Sequence, residues 1–293
     1  MKRRDLADLL LLAALWGASF LFMRMGAAQF GALPLAGLRV AGAALVLLPL
    51  LAGRGELGAL RTHWKPLLLV GLTNSAFPFA CYSHAALTLN AGLSSIFNAA
   101  SPLFAALIAW FWLGDRLGPW RIAGLLIGFA GVFGLAWSKA GFQTQGADAT
   151  VALAVTACIV ATVSYGFSAN FTKRHLAGVP SMAVAAGSQL GATAWLALPT
   201  AWWWPATLPG PAAWASLAAL AVVCTGLAYI LYFRLIVNVG PANAITVTFL
   251  VPAFAVAWGA AFLGEALSVP MVVGCAVILA GTALATGLVR PSR

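Results

Sequence analysis

The side chains of this sequence that could bind a ligand lie within long apolar segments and not in its loops. Asparagine, serine and threonine can hydrogen-bond a polar ligand, and aromatic rings with a polar group suit a flat organic molecule by stacking or cation–π contact. On these grounds the predicted binding residues are Trp16, Asn74, Phe77, Tyr82, Ser94, Asn98, Tyr165, Thr225, Tyr229 and Thr248. These residue types predict a site for a small molecule.

Helical spacing gathers several polar residues onto common faces. At about 100° per residue, one helix face carries Asn74, Phe77, Pro78 and Cys81, with Tyr82 at its edge. By the same rule, the next segment carries a polar face made of Ser94, Ser95, Asn98 and Ser101. Two interpretations stay open for these stripes: close packing between neighbouring helices, or the wall of a cavity.

Three prolines lie in the middle of apolar segments, where each leaves a backbone carbonyl without its helical hydrogen bond. They are Pro78, Pro102 and Pro252, and the freed carbonyls belong to Asn74, Asn98 and Thr248. Lipid cannot hydrate these carbonyls. Either polar side chains repair the local defect, or broken helices line a cavity and offer polar groups to a ligand.

Ionisable residues are rare inside the apolar segments. Arg39 lies a short way into its segment, which favours a side chain that extends to the outer membrane interface, ~8 Å away. The alternative is a counter-ion for a substrate carboxylate. His84 lies near the end of its segment and is interpreted as an interfacial residue. Asp115 and Glu265 occupy short turns, where we expect them to face the N-termini of the helices that follow.

The sequence lacks the residue patterns of an intramembrane enzyme. It has no HExxH motif, and Gly17-Ala18-Ser19-Phe20 lacks the last glycine of a GxSG motif. A Ser19–His84 dyad would have no acid to orient the histidine. The four cysteines lie within apolar segments without disulfide or zinc spacing. We therefore predict no enzymatic activity, no cofactor and no metal.

The elements that must position the candidate residues follow from composition. Hydrophobic residues make up 62% of the 293 positions and charged residues 8%, against about a quarter charged in a soluble domain. Many apolar runs have roughly the 20 residues that cross a bilayer as a helix. We predict an all-α polytopic membrane protein with ten transmembrane helices, at about 6–26, 34–52, 65–87, 91–113, 119–138, 150–172, 180–201, 212–235, 241–263 and 269–289.

The net charge of +10 is spread thinly over short loops. This distribution excludes a basic patch for nucleic acid and fits the positive-inside rule. With the N-terminus inside, almost all basic loop residues fall on the inner side, and only Lys139 falls in an outer loop. The sequence thus predicts that both termini are cytoplasmic.

The two halves of the sequence repeat each other at a constant separation of 150 residues. The matching pairs include Pro102 with Pro252, Phe104 with Phe254, Tyr82 with Tyr232, and Leu113-Gly114-Asp115 with Leu263-Gly264-Glu265. A separate alignment of the first and sixth spans matches Trp16 with Tyr165 and Gly17 with Gly166. Five spans per half is an odd number, so the second half is expected to insert upside down, with a site at the midplane between the halves. The predicted parts are a first repeat 1–138, a periplasmic connecting loop 139–149 and a second repeat 150–293.

These motifs resemble the EamA branch of the drug/metabolite transporter superfamily. The resemblance rests on Trp16-Gly17-Ala18-Ser19-Phe20, on Pro34 to Arg39 and on the Pro102 and Pro252 pairs with their Leu-Gly-acid turns. It covers essentially the whole chain, and within the family the sequence is similar to YddG-type aromatic amino acid exporters. The resemblance implies ten helices in two inverted halves, and export of amino acids, related metabolites or drugs.

We therefore expect an exporter of aromatic or other neutral amino acids and related small metabolites, working by alternating access in the inner (plasma) membrane. All six acidic residues fall at segment ends or in loops, so no carboxylate is placed to carry a coupling ion and the substrate gradient is expected to drive transport. The alternative is a proton-coupled exporter of drugs or aromatic cations, and an intramembrane enzyme is a remote one. A channel would need a ring of charges or carbonyls around an axis.

Glycines recur at short intervals along the predicted fifth span, at Gly124, Gly128, Gly131 and Gly134. Small residues allow close helix packing, either within the chain or in a homodimer, so monomer and homodimer both stay open. The expected partners are a small-molecule substrate and the lipid bilayer, without nucleic acid.

Overall fold

The computed structural model describes residues 2–140, 149–239, 244 and 247–287. These residues form helices joined by short turns, and no β-strand occurs among them. The helices are α1 (Arg3–Phe30), α2 (Ala32–Gly53), α3 (Gly58–Thr62), α4 (Trp64–Gly71), α5 (Phe77–Ala85), α6 (Ala91–Asn98), α7 (Ser101–Ile108), α8 (Pro119–Ala140), α9 (Ala149–His175), α10 (Ser181–Trp202), α11 (Pro211–Ala218), α12 (Ala228–Val239), α13 (Val247–Leu263) and α14 (Val269–Thr286). Three π-helical segments extend α4, α7 and α11, at Leu72–Ala76, Ala109–Leu113 and Ala219–Leu227.

Many of these helices are apolar enough to cross a membrane, as composition predicts. Within the described part of the chain, seven stretches satisfy both length and hydropathy: Arg3–Phe30, Ala32–Gly53, Ala91–Leu113, Pro119–Ser138, Ala149–His175, Pro211–Tyr232 and Val269–Thr286. The shorter helix α13 is also apolar. The number of ten spans stays a prediction. Most of the predicted loop 139–149, the start of the ninth predicted span and the end of the tenth lie outside the described residues.

Helix α1 packs lengthwise against α13. A Cβ placed on Gly17 would lie 2.7 Å from Phe254 Cβ and 2.9 Å from the Ala255 nitrogen, so the close approach requires a glycine. Farther along α1, Arg24 approaches Glu265 just beyond the end of α13. The two helices therefore run in the same direction.

Helix α9 meets α7 through an equivalent contact. A Cβ placed on Gly166 would lie 2.7 Å from the Ala105 nitrogen and 2.8 Å from the Phe104 carbonyl carbon. Gly166 matches Gly17 in the alignment of the first and sixth spans, and Phe104 matches Phe254 in the 150-residue repeat. Each half thus supplies a glycine-bearing helix that packs on a helix of the other half.

Helices α8 and α14 pack antiparallel through the glycine ladder. A Cβ on Gly281 of α14 would overlap the backbone of Gly128, and Gly124 and Gly131 also leave no room for a side chain against α14. Gly134 is exposed, and a Cβ there would meet nothing within 4 Å. Three of the four ladder glycines therefore serve packing within the chain.

The prolines coincide with breaks in two of the cavity helices. Pro78 follows the π-helical segment Leu72–Ala76, and Pro102 follows the turn between α6 and α7. The Asn98 carbonyl that Pro102 frees accepts a hydrogen bond from Ser101 Oγ at 2.7 Å. Ser101, and not the side-chain amide of Asn98, therefore hydrogen-bonds the freed carbonyl. The Asn98 side chain is available for other contacts.

One end of the molecule, here called the N-terminal face, carries a polar network between α1 and α12. Asp8 of α1 pairs with Arg234, and Asp5 accepts a hydrogen bond from Asn238 Nδ2 at 3.1 Å. Both carboxyl side chains are buried. The network joins the start of α1 to the end of α12.

The opposite end is called the Glu265 face. Glu265 Oε2 accepts a hydrogen bond at 2.9 Å from the backbone nitrogen of Ala91, at the start of α6, and Arg24 Nε lies 3.9 Å from Oε1. The prediction that Glu265 faces the helix after it is wrong, because its carboxylate turns back to cap α6. Asp115 instead pairs with Lys173 at 3.4 Å, on the N-terminal face.

Candidate ligand-binding cavity

A cavity of about 290 Å³ lies in the middle of the molecule. Its walls come from α1, α2, α5, α6, α7, α9, α12, α13 and the two π-helical segments Leu72–Ala76 and Ala219–Leu227. Eight of the ten predicted binding residues line it, namely Trp16, Asn74, Tyr82, Asn98, Tyr165, Thr225, Tyr229 and Thr248. The structure thus brings together residues that are up to 232 positions apart in sequence (16 to 248).

Two predicted residues lie elsewhere. Phe77 is 41% exposed and outside the cavity lining, whereas Phe79 lines it. The cause is the π-helical segment before Phe77, which holds an extra residue per turn and so rotates the following side chains away from α-helical spacing. Ser94 is buried but lies one helical turn closer to the Glu265 face than Asn98, beyond the end of the cavity.

Arg39 lies in the cavity wall, and its side chain does not extend to the membrane interface. The residue is 5% exposed, and its Nε donates a hydrogen bond to Thr225 Oγ1 at 3.0 Å. Its Nη1 lies 3.5 Å from Met23 Sδ, and its guanidinium carbon is 3.7 Å from the centre of the Phe79 ring. The expectation that Arg39 extends outward is wrong, because α2 turns this face towards the cavity.

Neutral polar groups surround the guanidinium. Asn74 Nδ2 donates a hydrogen bond to the Tyr229 hydroxyl at 3.4 Å. This bond joins the π-helical segment Leu72–Ala76 to the start of α12, which follows the π-helical segment Ala219–Leu227. The Thr225 hydroxyl donates to the Leu220 carbonyl at 2.8 Å, so its oxygen is free to accept from Arg39. Among the described residues, none that lines the cavity is acidic.

Aromatic rings form the two ends of the cavity. Trp16 and Tyr232 lie 5.3 Å apart between ring centres, and Tyr82 and Tyr165 stack at 6.3 Å. Phe20 meets Tyr82 edge-on at 5.6 Å. Such rings can hold the flat or apolar part of an organic ligand.

The two ends of the cavity differ in access. Towards the Glu265 face, Phe20, Met23 and Tyr82 are all buried and close the cavity. Towards the N-terminal face, Ala169 lines the cavity and is exposed. Among the described lining residues, those towards the Glu265 face thus enclose the cavity more completely than those towards the N-terminal face.

Several residues that line the cavity are not among those predicted from the sequence. Phe79, Met23 and Cys224 belong to the wall, as do Ser19 and Tyr232. The sequence repeat could have indicated Tyr232 as a lining residue, because Tyr232 matches the predicted residue Tyr82. Within the described part of the chain, no cluster of three or more His, Cys, Asp or Glu side chains forms a metal site. The arrangement suits binding of a small organic molecule.

Comparison with known proteins gives consistent matches. The EamA-like transporter family matches residues 7–137 and again residues 152–287. Relatives include the uncharacterized transporter YvbV of Bacillus subtilis, 25% identical over 97% of this chain and 92% of its own length. A probable terminal-alkyne amino-acid exporter of Streptantibioticus cattleyicolor is 26% identical over 94% of this chain and 91% of its own length.

A solved crystal structure shares the fold. It has a TM-score of 0.67 at 23% identity and covers 98% of both chains. The family match spans well over half of the chain in two blocks, which are separated by residues 138–151 near its middle. On this match, and with apolar helices around a central cavity, the chain belongs to the EamA-like transporter family.

Proposed function

We propose that this protein exports amino acids and related small metabolites across the inner (plasma) membrane by alternating access. The observation that carries the proposal is the central cavity, which both halves line with aromatic rings and neutral polar groups. Its volume of about 290 Å³ suits a small organic molecule. The relative named as a probable terminal-alkyne amino-acid exporter supports amino acids as the substrate class.

The proposed architecture has ten spans in two inverted repeats. Two separate matches to one family support a duplicated chain, and the equivalent contacts of Gly17 and Gly166 support a twofold relation between the halves. An inverted repeat allows one set of helices to rock against the other around a fixed site. The cavity, closed towards the Glu265 face, would be one of the two end states.

We expect both termini on the cytoplasmic side. Reporter fusions after Ser138, in the last turn of α8, and after Trp203, directly after α10, should then report the outside, because both helices end on the Glu265 face. A fusion after Arg54, between α2 and α3, is the matched control and should report the cytoplasm. A cytoplasmic signal at Ser138 or Trp203 would contradict the proposed orientation.

Transport is proposed to follow the substrate gradient. No acidic residue within the described part of the chain lines the cavity, and ion-coupled carriers usually hold an ionisable carboxylate there. Purified protein in liposomes should therefore equilibrate labelled phenylalanine, or a terminal-alkyne amino acid, with no pH or sodium gradient. Protein-free liposomes give the background rate.

A different result would identify coupling. If an applied pH difference concentrates the amino acid several-fold, transport is proton-coupled and the gradient-driven proposal fails. His84, which lies outside the cavity lining, would then be tested as His84→Ala. If no amino acid exchanges at all, the substrate class itself is wrong.

A further inference from the structure

The cavity contains a positive charge that none of the described side chains neutralises. Arg39 is buried, and no carboxylate pairs with it among the residues that the structure describes. A charged side chain within a membrane protein is costly unless it has a partner. Its contacts with Thr225, Met23 and Phe79 are all to neutral groups.

These contacts orient the guanidinium without using all its donors. A guanidinium has five N–H groups in one plane. Arg39 Nε donates a hydrogen bond to the Thr225 hydroxyl, and Nη1 donates to the Met23 sulfur. Its Nη2 has no hydrogen bond within the described part of the chain. The ring of Phe79 holds the plane of the guanidinium from one side. The free donors therefore belong to a fixed group in the cavity wall.

A second donor in the same wall also lacks a partner. The Tyr82 hydroxyl is buried, with the whole residue 2% exposed, and it makes no hydrogen bond within the described residues. Buried polar groups in native structures are normally hydrogen-bonded. Among the described residues, a hydroxyl without a hydrogen bond and a guanidinium without a carboxylate partner thus line one cavity, and together they indicate a ligand that accepts hydrogen bonds and carries negative charge.

We propose that Arg39 binds the carboxylate of the transported molecule, so the protein accepts organic carboxylates and rejects amines that lack one. This inference rests on the proposed transport function and specifies its substrate class. A guanidinium can bind a carboxylate through two parallel hydrogen bonds, which lysine cannot reproduce. The Trp16–Tyr232 pair, towards the N-terminal face, offers the apolar surface for the rest of the molecule.

The charge of the cavity separates this proposal from export of aromatic cations. Arg39 repels a cation, and no acidic residue among the described lining residues compensates for it. Like charges a few ångströms apart disfavour each other strongly in a buried site. A carboxylate instead neutralises the guanidinium as it binds.

The first test uses unmodified protein and three ligands of matched shape. Phenylalanine, 3-phenylpropionate and phenethylamine share the aromatic ring, and only the first two carry a carboxylate. Both carboxylates should raise the thermal unfolding midpoint of purified protein, because a ligand stabilises the state that binds it. Phenethylamine should not. Equal stabilisation by phenethylamine would overturn the proposal.

The second test changes the arginine. Arg39→Gln should weaken phenylalanine binding by about 100-fold, since it removes a charged, bidentate contact. Arg39→Lys keeps the charge without the planar fork and should weaken binding by about tenfold. Arg54→Gln removes an exposed arginine in the loop after α2 and is the matched control. Unchanged binding by folded Arg39→Gln would contradict the role of Arg39.

The outcomes distinguish the two proposals. If 3-phenylpropionate binds and no amino acid is transported, the amino acid proposal fails and the carboxylate site stands. If amino acids are transported equally well by Arg39→Gln, transport stands and the carboxylate site fails. If Arg39→Gln does not fold, the three-ligand series and Arg39→Lys decide whether Arg39 binds the carboxylate. If none of the three ligands stabilises the protein, the inference is refuted.

Discussion

Gly281→Leu should leave little folded protein. A Cβ at this position would overlap the backbone of Gly128 on the neighbouring helix α8, where no side chain can rotate away. Overpacking a tight interface usually costs about 1–3 kcal/mol, and a clash with backbone forces two whole helices apart. We expect the unfolding midpoint to fall by roughly 10 °C or more, measured by size-exclusion chromatography after heating.

The glycine ladder supplies its own control. Gly134→Leu introduces the same side chain on α8, at an exposed position where a Cβ meets nothing within 4 Å. Its unfolding midpoint should stay close to that of the unmodified protein. If Gly134→Leu is as destabilising as Gly281→Leu, the loss comes from the larger side chain itself and not from the α8–α14 contact.

Asn98→Leu should cut transport by about 10- to 100-fold while folded protein is retained. Leucine has a similar volume but no amide, and loss of a hydrogen bond to a ligand in a closed site costs about 1–3 kcal/mol. The backbone break is preserved, because Ser101 and not the Asn98 side chain holds the freed carbonyl. Initial rates of phenylalanine exchange in liposomes measure the effect.

Ser94→Ala is the matched comparison on the same helix. Ser94 lies on the polar face predicted for α6, yet it is outside the cavity lining. Its loss should change exchange by less than about twofold, which is within the effect of substitutions away from the site. The reverse order, with Ser94→Ala severe and Asn98→Leu mild, would place the substrate path closer to the Glu265 face.

Composition and periodicity predict the helical membrane fold and eight of the residues that line the cavity, because apolar length and polar stripes are local properties of the sequence. The face of α5 shows where this fails. Constant α-helical spacing places Phe77 beside Asn74, but the π-helical segment shifts the cavity side to Phe79. No local sequence pattern indicates that extra residue per turn.

Arg39 and Glu265 show a second limit. Position along a segment predicts how far Arg39 lies from the interface, whereas the neighbours of α2 decide that it faces the cavity. Likewise, a turn position predicts that Glu265 caps a helix, but only the packing of distant segments shows that it caps α6. Such choices depend on contacts between residues far apart in the chain.

The crossed contacts between the halves also constrain how the chain is made. Gly17 enters the membrane early in translation, but the surface that it packs on, around Phe254, is synthesised almost last. Likewise, the surface around Phe104 is synthesised before Gly166, the residue that packs on it. A chain that stops after its first half would leave these surfaces, and the polar side of Asn98, in contact with lipid. Assembly is thus completed only when nearly the whole chain has been inserted.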